Sequence, residues 1–291
     1  AWQLAKQGHQ VALIEMRPIK SSPAHHSDKP AELVCSNSFR SNDVHNAVGL
    51  LKEEMMSLDS LIIRAAHKAR VPAGGALAVD RDAFSEFVTQ ELKQDANITL
   101  VNQVIQSIAK IEQGFELKCE SGDKLKAQKI VVATGPLTED KLAQWIAEQT
   151  QSEHLYFYDA IAPIIDKDSI DFNKVFYASR YDKGEGSDYL NCPMDEQQYA
   201  AFIEALKAAE LIEVHDFDKA QFFEGCLPIE VMASRGLDTL RYGPLKPVGL
   251  RDPKDPDTKF HAVIQLRQDN LHATLYNMVG FQTRMKWGEQ K

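Results

Sequence analysis

The chain has 291 residues, 44% of them hydrophobic and 26% charged, which fits a globular protein of one large or two medium domains and excludes disorder as the default. Its net charge of -9 argues against a general nucleic-acid coat. The charge is uneven, however: residues 225–291 carry ten Lys and Arg against seven Asp and Glu, leaving 23 against 35 in residues 1–224, so a bound polyanion is expected on the later segment.

The opening AWQLAKQG reads as the second half of a helix closed by Gly8, and the closing MKWGEQK carries no stop signal, so the chain is expected to lack a piece at each end. No long apolar run and no signal-peptide pattern occur, which points to neither membrane nor export and makes the cytoplasm the expected location. Next comes a short apolar strand, Val11 to Glu15, ending in an acid. Helix, glycine, buried strand and acid form the second half of a βαβ unit. In dinucleotide-binding folds such an acid accepts hydrogen bonds from the adenosine ribose, although apolar strands ending in a charge are common in any fold.

Residues 82–93 place Phe84, Phe87, Val88 and Leu92 at helical spacing, and residues 98–125 alternate in hairpin-like pieces around Gly114 and Gly122. Lys129 to Pro136 predicts an apolar strand running into Ala133-Thr134-Gly135, where small residues let a backbone approach a ligand. The order resembles that of two-dinucleotide-binding-domain flavoproteins, and with Glu15 it makes FAD the expected cofactor. From about Thr150 the texture changes. An aromatic cluster at Tyr156, Phe157 and Tyr158 precedes a short strand (175–178), a polar turn (182–186), a helix (195–211), a Pro-rich loop (251–259) and a strand (261–266).

The fold class expected is therefore α/β: a Rossmann-like FAD-binding domain with an inserted α+β domain. The boundaries expected are 1–149 for the FAD-binding domain, 150–275 for an inserted substrate domain, and 276–291 for a return to the FAD-binding domain.

Four cysteines, Cys35, Cys119, Cys192 and Cys226, are too scattered for a zinc site or a disulfide framework. Cys119 sits in an alternating strand and reads as a small buried hydrophobe, and Cys192 before Pro193 reads the same way. Cys35 lies in a polar stretch, ELVCSNSFRS, with Arg40 nearby, a setting that can lower a thiol pKa. Cys226, in FFEGCLPIE, sits at a glycine-permitted turn, where packing and chemistry are both open readings. The adjacent His25-His26 pair reads as a solvated loop, so no metal is expected.

Taken in order, ELVCSNSFRS, SRYDKGEG, YLNCPM, FFEGCLPIEVMASRG, RYGPLKPVGL, VIQLRQDN and LYNMVGFQTRMKWGEQK resemble the bacterial folate- and FAD-dependent tRNA (uracil-5-)-methyltransferases, the TrmFO or small GidA-like family. The resemblance implies methylation of the uridine at position 54 of the tRNA T loop, with methylenetetrahydrofolate as carbon donor and NAD(P)H as electron source through FAD. It implies Cys226 and Cys35, the latter on a mobile loop, as the two catalytic thiols, without fixing which one attacks uracil C6. It further implies flavin-side contacts from Glu15, Ala133, Thr134, Gly135, Gly280, Phe281, Gln282 and Thr283. Arg40, Arg180, Lys183, Arg235, Arg241, Lys246 and Arg284 become candidates for phosphate or folate carboxylate, and Glu224 is read as structural. The alternatives are the large GidA-like wobble-uridine modification flavoproteins, which use a partner GTPase, and a non-catalytic flavin-dependent tRNA-binding protein. A dithiol reductase would show a CxxxxC pair, which is absent.

Overall fold

The computed structural model describes residues 1–22, 24–135, 137–151, 162–212 and 227–290. The chain divides into two compact units, one of Ala1–Glu32 with Ser85–Tyr158 and one of Leu33–Phe84 with Asp159–Lys291.

In the first unit, Val11–Glu15 pairs in parallel with Ile98–Asn102, Val11 opposite Ile98 and Glu15 opposite Asn102. Both strands thus end at the same edge, the carboxyl end at which open α/β sheets bind ligands. An antiparallel meander of Ile105–Ile111, Gly114–Cys119 and Lys124–Ala127 follows, as its alternation predicts. It packs Ile105, Ile108, Leu117 and Cys119 against Leu142, Trp145 and Ile146 of the Asp140–Thr150 helix. Cys119 is buried there and burial pushes its pKa up, in keeping with a packing role.

The strand expected over 129–136 does not form: residues 130–135 have no regular secondary structure and Val131 is 77% exposed. An apolar strand buries its faces only when neighbours pair with its edges. Among the described residues the parallel sheet has two strands, and neither pairs with this segment.

The second unit is built on a five-stranded antiparallel sheet in the order Phe176–Tyr177, Tyr189–Met194, Ala262–Gln268, Leu275–Met278 and Ile164–Asp166. The helix expected over 195–211 runs from Glu196 to Ala208. Asp195 is its N-cap, accepting from Gln198 N while the Gln198 side chain accepts from Asp195 N, a reciprocal pair that fixes the start. Its apolar face, Tyr199, Ile203 and Leu206, packs on Ile229, Ala233, Leu240, Leu245, Ala262, Phe281 and Met285.

A three-stranded sheet, Ser38–Ser41, Ala76–Val79 and Arg70–Val71, belongs to the same unit. This division departs from the boundaries drawn in sequence order. Residues 33–84 join the later segment because Asn37 Nδ2 donates to Gln268 O (3.0 Å) and Tyr189 Oη to Ala73 O (2.8 Å). The expected boundary at 275/276 falls inside the Leu275–Met278 strand.

Candidate active site

The Ala262–Gln268 strand carries Gln265 and Arg267 two residues apart, hence on one face of the sheet. Cross-strand register sets Asn191 opposite Gln265, and Tyr189 and Asn277 opposite Arg267, so one polar stripe runs across three strands. Asn191, Gln265, Arg267 and Asn277 of the stripe are buried, and hydrogen bonds link them in pairs. Gln265 Nε2 donates to Asn191 Oδ1 (3.0 Å), and the Arg180 guanidinium donates to Gln265 Oε1 (3.0 Å) and to Val248 O.

Arg267 is 6% exposed. Its Nε donates to Asn37 Oδ1 (2.9 Å), and its Nη2 to Ser36 Oγ (3.2 Å) and Asn277 Oδ1 (3.4 Å). Burial, the largest influence, pulls its pKa below the ordinary arginine value, with Tyr189 and Asp269 opposing. Asn37, 0% exposed, also donates through Nδ2 to Val79 O (3.0 Å), and so ties the segment after Cys35 to both sheets of the unit. The thiol is therefore carried on an irregular segment held by side-chain hydrogen bonds at the next two residues.

Gln282 Nε2 lies 3.1 Å from Cys35 Sγ as a donor, and Gln282 O accepts from Ile229 N (2.7 Å), which holds the residue from its backbone side. Cys35, Arg267, Asn277, Gly280 and Gln282 line one cavity of about 240 Å³. Gly280 has φ +70° and an added Cβ would stand 2.9 Å from Pro244 Cβ, so glycine keeps the chain close to that wall. The arrangement offers a thiol, a neutral amide donor beside it and a buried cation behind it. Those are the groups that hold a planar, carbonyl-bearing ligand against a nucleophile.

The other expected site residues fall into distinct environments. Cys226 and Glu224 lie outside the described residues. Phe281 lines the same cavity while its ring packs at 6.0 Å from Phe202, and Thr283 is committed to the interior, its Oγ1 donating to Glu230 Oε2 (3.0 Å). Arg284 Nε is 3.6 Å from Glu230 Oε1 and its side chain is largely covered. Arg241 donates to His261 O (3.1 Å) and lies over the Tyr242 ring, whereas Arg40 and Lys246 are exposed.

In the first unit, Thr134 Oγ1 bonds Thr138 Oγ1 (2.6 Å) and Gly135 has φ +69°. Glu15 stands at the carboxyl end of its strand and is gripped by Arg17, through Nε to Oε1 (3.0 Å), Nη2 to Oε2 (3.1 Å) and the backbone N to Oε1 (3.1 Å). Burial would raise its pKa, but the hydrogen bonds and charge of Arg17 outweigh it and hold the carboxyl below its usual value. A carboxylate has about four acceptor positions, so Glu15 keeps capacity for a further hydroxyl donor.

Sequence reading singled out Cys35 and Gln282 but not Arg267, Asn37 or Asn277. The signal was the alternation in VIQLRQDN, which ordinarily marks a solvated strand face.

The family model for glucose inhibited division protein A matches residues 1–291, the whole chain. The chain belongs to the glucose inhibited division protein A family. It is 58% identical over 291 residues to a Staphylococcus saprophyticus protein named methylenetetrahydrofolate--tRNA-(uracil-5-)-methyltransferase TrmFO, and 56% identical to proteins of that name from Bacillus cereus and Listeria monocytogenes. All of this chain is aligned, and it spans 62% to 63% of those relatives' lengths. Two solved structures of Aquifex aeolicus GidA superpose with TM-scores of 0.62 and 0.63 at 13% identity, covering 99% of this chain and 48% and 51% of theirs. At that identity the likeness concerns the fold: this member shares the mixed α/β architecture of the glucose inhibited division protein A family.

Proposed function

We propose that the protein is a tRNA (uracil-5-)-methyltransferase that takes its carbon from methylenetetrahydrofolate, works with FAD reduced by NAD(P)H, and acts in the cytoplasm on the T-loop uridine. The observation that carries this reading is Cys35, mounted beside an amide donor in a cavity also lined by Arg267 and Asn277, in a chain 58% identical to a relative named for that reaction. Uracil C5 is a weak nucleophile. Addition of a thiolate to C6 moves the ring electron pair toward C5 and the C4 carbonyl oxygen, and C5 then bonds the one-carbon unit. Loss of the C5 proton to a base breaks the methylene–nitrogen bond and releases tetrahydrofolate, leaving an exocyclic methylene at C5; hydride addition to that carbon lets the thiolate depart from C6 and restores the ring. Bound FAD would supply the hydride equivalent that takes the carbon to the methyl level.

This chain's residues serve the steps before and around that transfer. Asn37, Ser36 and Arg267 fix the segment that bears Cys35, and Gln282 donates to its sulfur. Cys226 is the second thiol proposed. Glu15, with an acceptor position to spare at the strand's carboxyl end, fits the FAD ribose; Ala133, Thr134, Gly135 and Gly280 are proposed to approach the flavin with their backbone. Exposed Arg40 and Lys246 are proposed to meet tRNA phosphates, and Arg241 is proposed as a further contact. Nucleoside analysis of tRNA from a strain lacking the gene tests the reading: 5-methyluridine at the T-loop position should disappear, and its persistence at the wild-type level would refute it.

A further inference from the structure

Asn277 is the one residue of the cavity whose hydrogen bonding is visibly incomplete. It is 2% exposed, lines the cavity, and among the described residues its Nδ2 has no partner. A buried amide N–H left unpaired is costly, so such groups point to an occupant. The amide cannot simply be turned over. Its other branch, Oδ1, accepts from Arg267 Nη2 (3.4 Å), and a flip would set an NH2 group against a guanidinium that has only donors to offer. Arg267 is itself locked by Asn37 and Ser36, and it is the cross-strand neighbour of Asn277. The free donor is thus held in one direction by the same network that holds Cys35.

We infer that Asn277 is a ligand-contacting residue: its free amide N–H donates to the carbonyl oxygen of a planar lactam ring seated in the cavity beside Cys35. A carbonyl is the partner chemistry selects, because the group is a neutral donor, and the neighbouring guanidinium is already engaged through Nε and Nη2 by oxygen acceptors. Uracil, pterin and flavin rings all present a lactam carbonyl, so which of them is the natural occupant rests on the functional reading above, whereas the donor itself does not. If the ring is uracil, the contact strengthens as charge moves onto the carbonyl oxygen during C6 addition, and Asn277 joins the residues that stabilise the reacting ring.

The test uses the holoprotein and reads the site directly, through the concentration of a small probe that halves the rate of Cys35 alkylation by iodoacetamide, followed by peptide mass spectrometry. The probes are uridine 5′-monophosphate, tetrahydrofolate and flavin mononucleotide, with cytidine 5′-monophosphate as the control that replaces a carbonyl by an amine. Asn277→Asp keeps an oxygen for Arg267 and turns the free donor into an acceptor. It should weaken protection by one lactam probe about tenfold, and if that probe is the uridine nucleotide, protection by the cytidine nucleotide should improve. Asn277→Leu, which removes both groups, should weaken the same probe with no gain for cytidine. A thermal melt and the unprotected alkylation rate show whether each variant keeps the Cys35 mount. Protection unchanged within twofold for every probe in a normally melting Asn277→Asp protein would overturn the assignment, as would a wild type that none of the lactam probes protects. Neither result depends on methyl transfer, so failure here is separable from failure of the methyltransferase reading.

Discussion

Replacing Asn37 by Ala should loosen the Cys35 segment more than any other single truncation near the cavity. The side chain is fully buried and makes three hydrogen bonds, two from Nδ2 to Val79 O and Gln268 O and one at Oδ1 from Arg267 Nε. At about 1 kcal/mol net for each bond the loss is roughly 3 kcal/mol. Arg267 Nε would also be left buried without its acceptor, which adds about 1 kcal/mol or more, for a total of roughly 4 kcal/mol. Urea unfolding followed by circular dichroism should show the midpoint falling by about 1–2 M. Iodoacetamide should modify Cys35 several-fold faster below that midpoint, because the segment is released while the rest of the unit stays folded. Asn37→Asp, which preserves the acceptor for Arg267, should recover part of the loss. A midpoint and an alkylation rate both indistinguishable from wild type would show that the thiol is not mounted by this network.

Burial pushes the Cys192 thiol up to about 11, so at about pH 8 iodoacetamide should leave it unmodified long after Cys35 has reacted; equal rates would contradict the environments described. Glu15 has a folded pKa below its usual value, so its pairing with Arg17 stabilises fully above the ordinary carboxylate pKa of 4.5 and is lost as pH falls through the lower folded value. Thermal melts from neutral pH to about pH 3 should therefore show wild type losing its advantage over Glu15→Gln only in the acid range. Glu15→Ala should also reduce the flavin retained through gel filtration, and unchanged retention would remove Glu15 from the cofactor site. Lys246→Glu should weaken tRNA binding and lower its salt dependence by about one counterion's worth, whereas identical salt series would place the tRNA elsewhere.

How far the sequence discloses this molecule depends on whether its signals are local. The Asp195 cap with Gln198, the meander around Gly114 and Gly122, and the short strand ending at Glu15 are written in neighbouring residues, and each forms where its pattern puts it. Lys129 to Gly135 has the composition of a buried strand, but a strand exists only when another pairs with it, and that partner is not encoded in the segment itself. The same holds for the cavity. Cys35 stands out because its own surroundings are polar, and Gln282 enters only through the family resemblance. Arg267 and Asn277 do not stand out: alternation with apolar residues is the mark of a solvated face, and only the register of three strands shows that this face is covered and that Arg267 reaches Asn37, 230 positions away in sequence. The division into units was likewise hidden, since the hydrogen bonds that draw residues 33–84 to the later segment join places far apart along the chain.

The proposed chemistry is tested most directly by following the carbon. In a single turnover with carbon-labelled methylenetetrahydrofolate, FAD, NADPH and a T-loop transcript, the account predicts label in 5-methyluridine with the wild-type protein and none with a normally melting Cys35→Ala variant. Label arriving instead from S-adenosylmethionine, or transfer at the wild-type rate without Cys35, would contradict it.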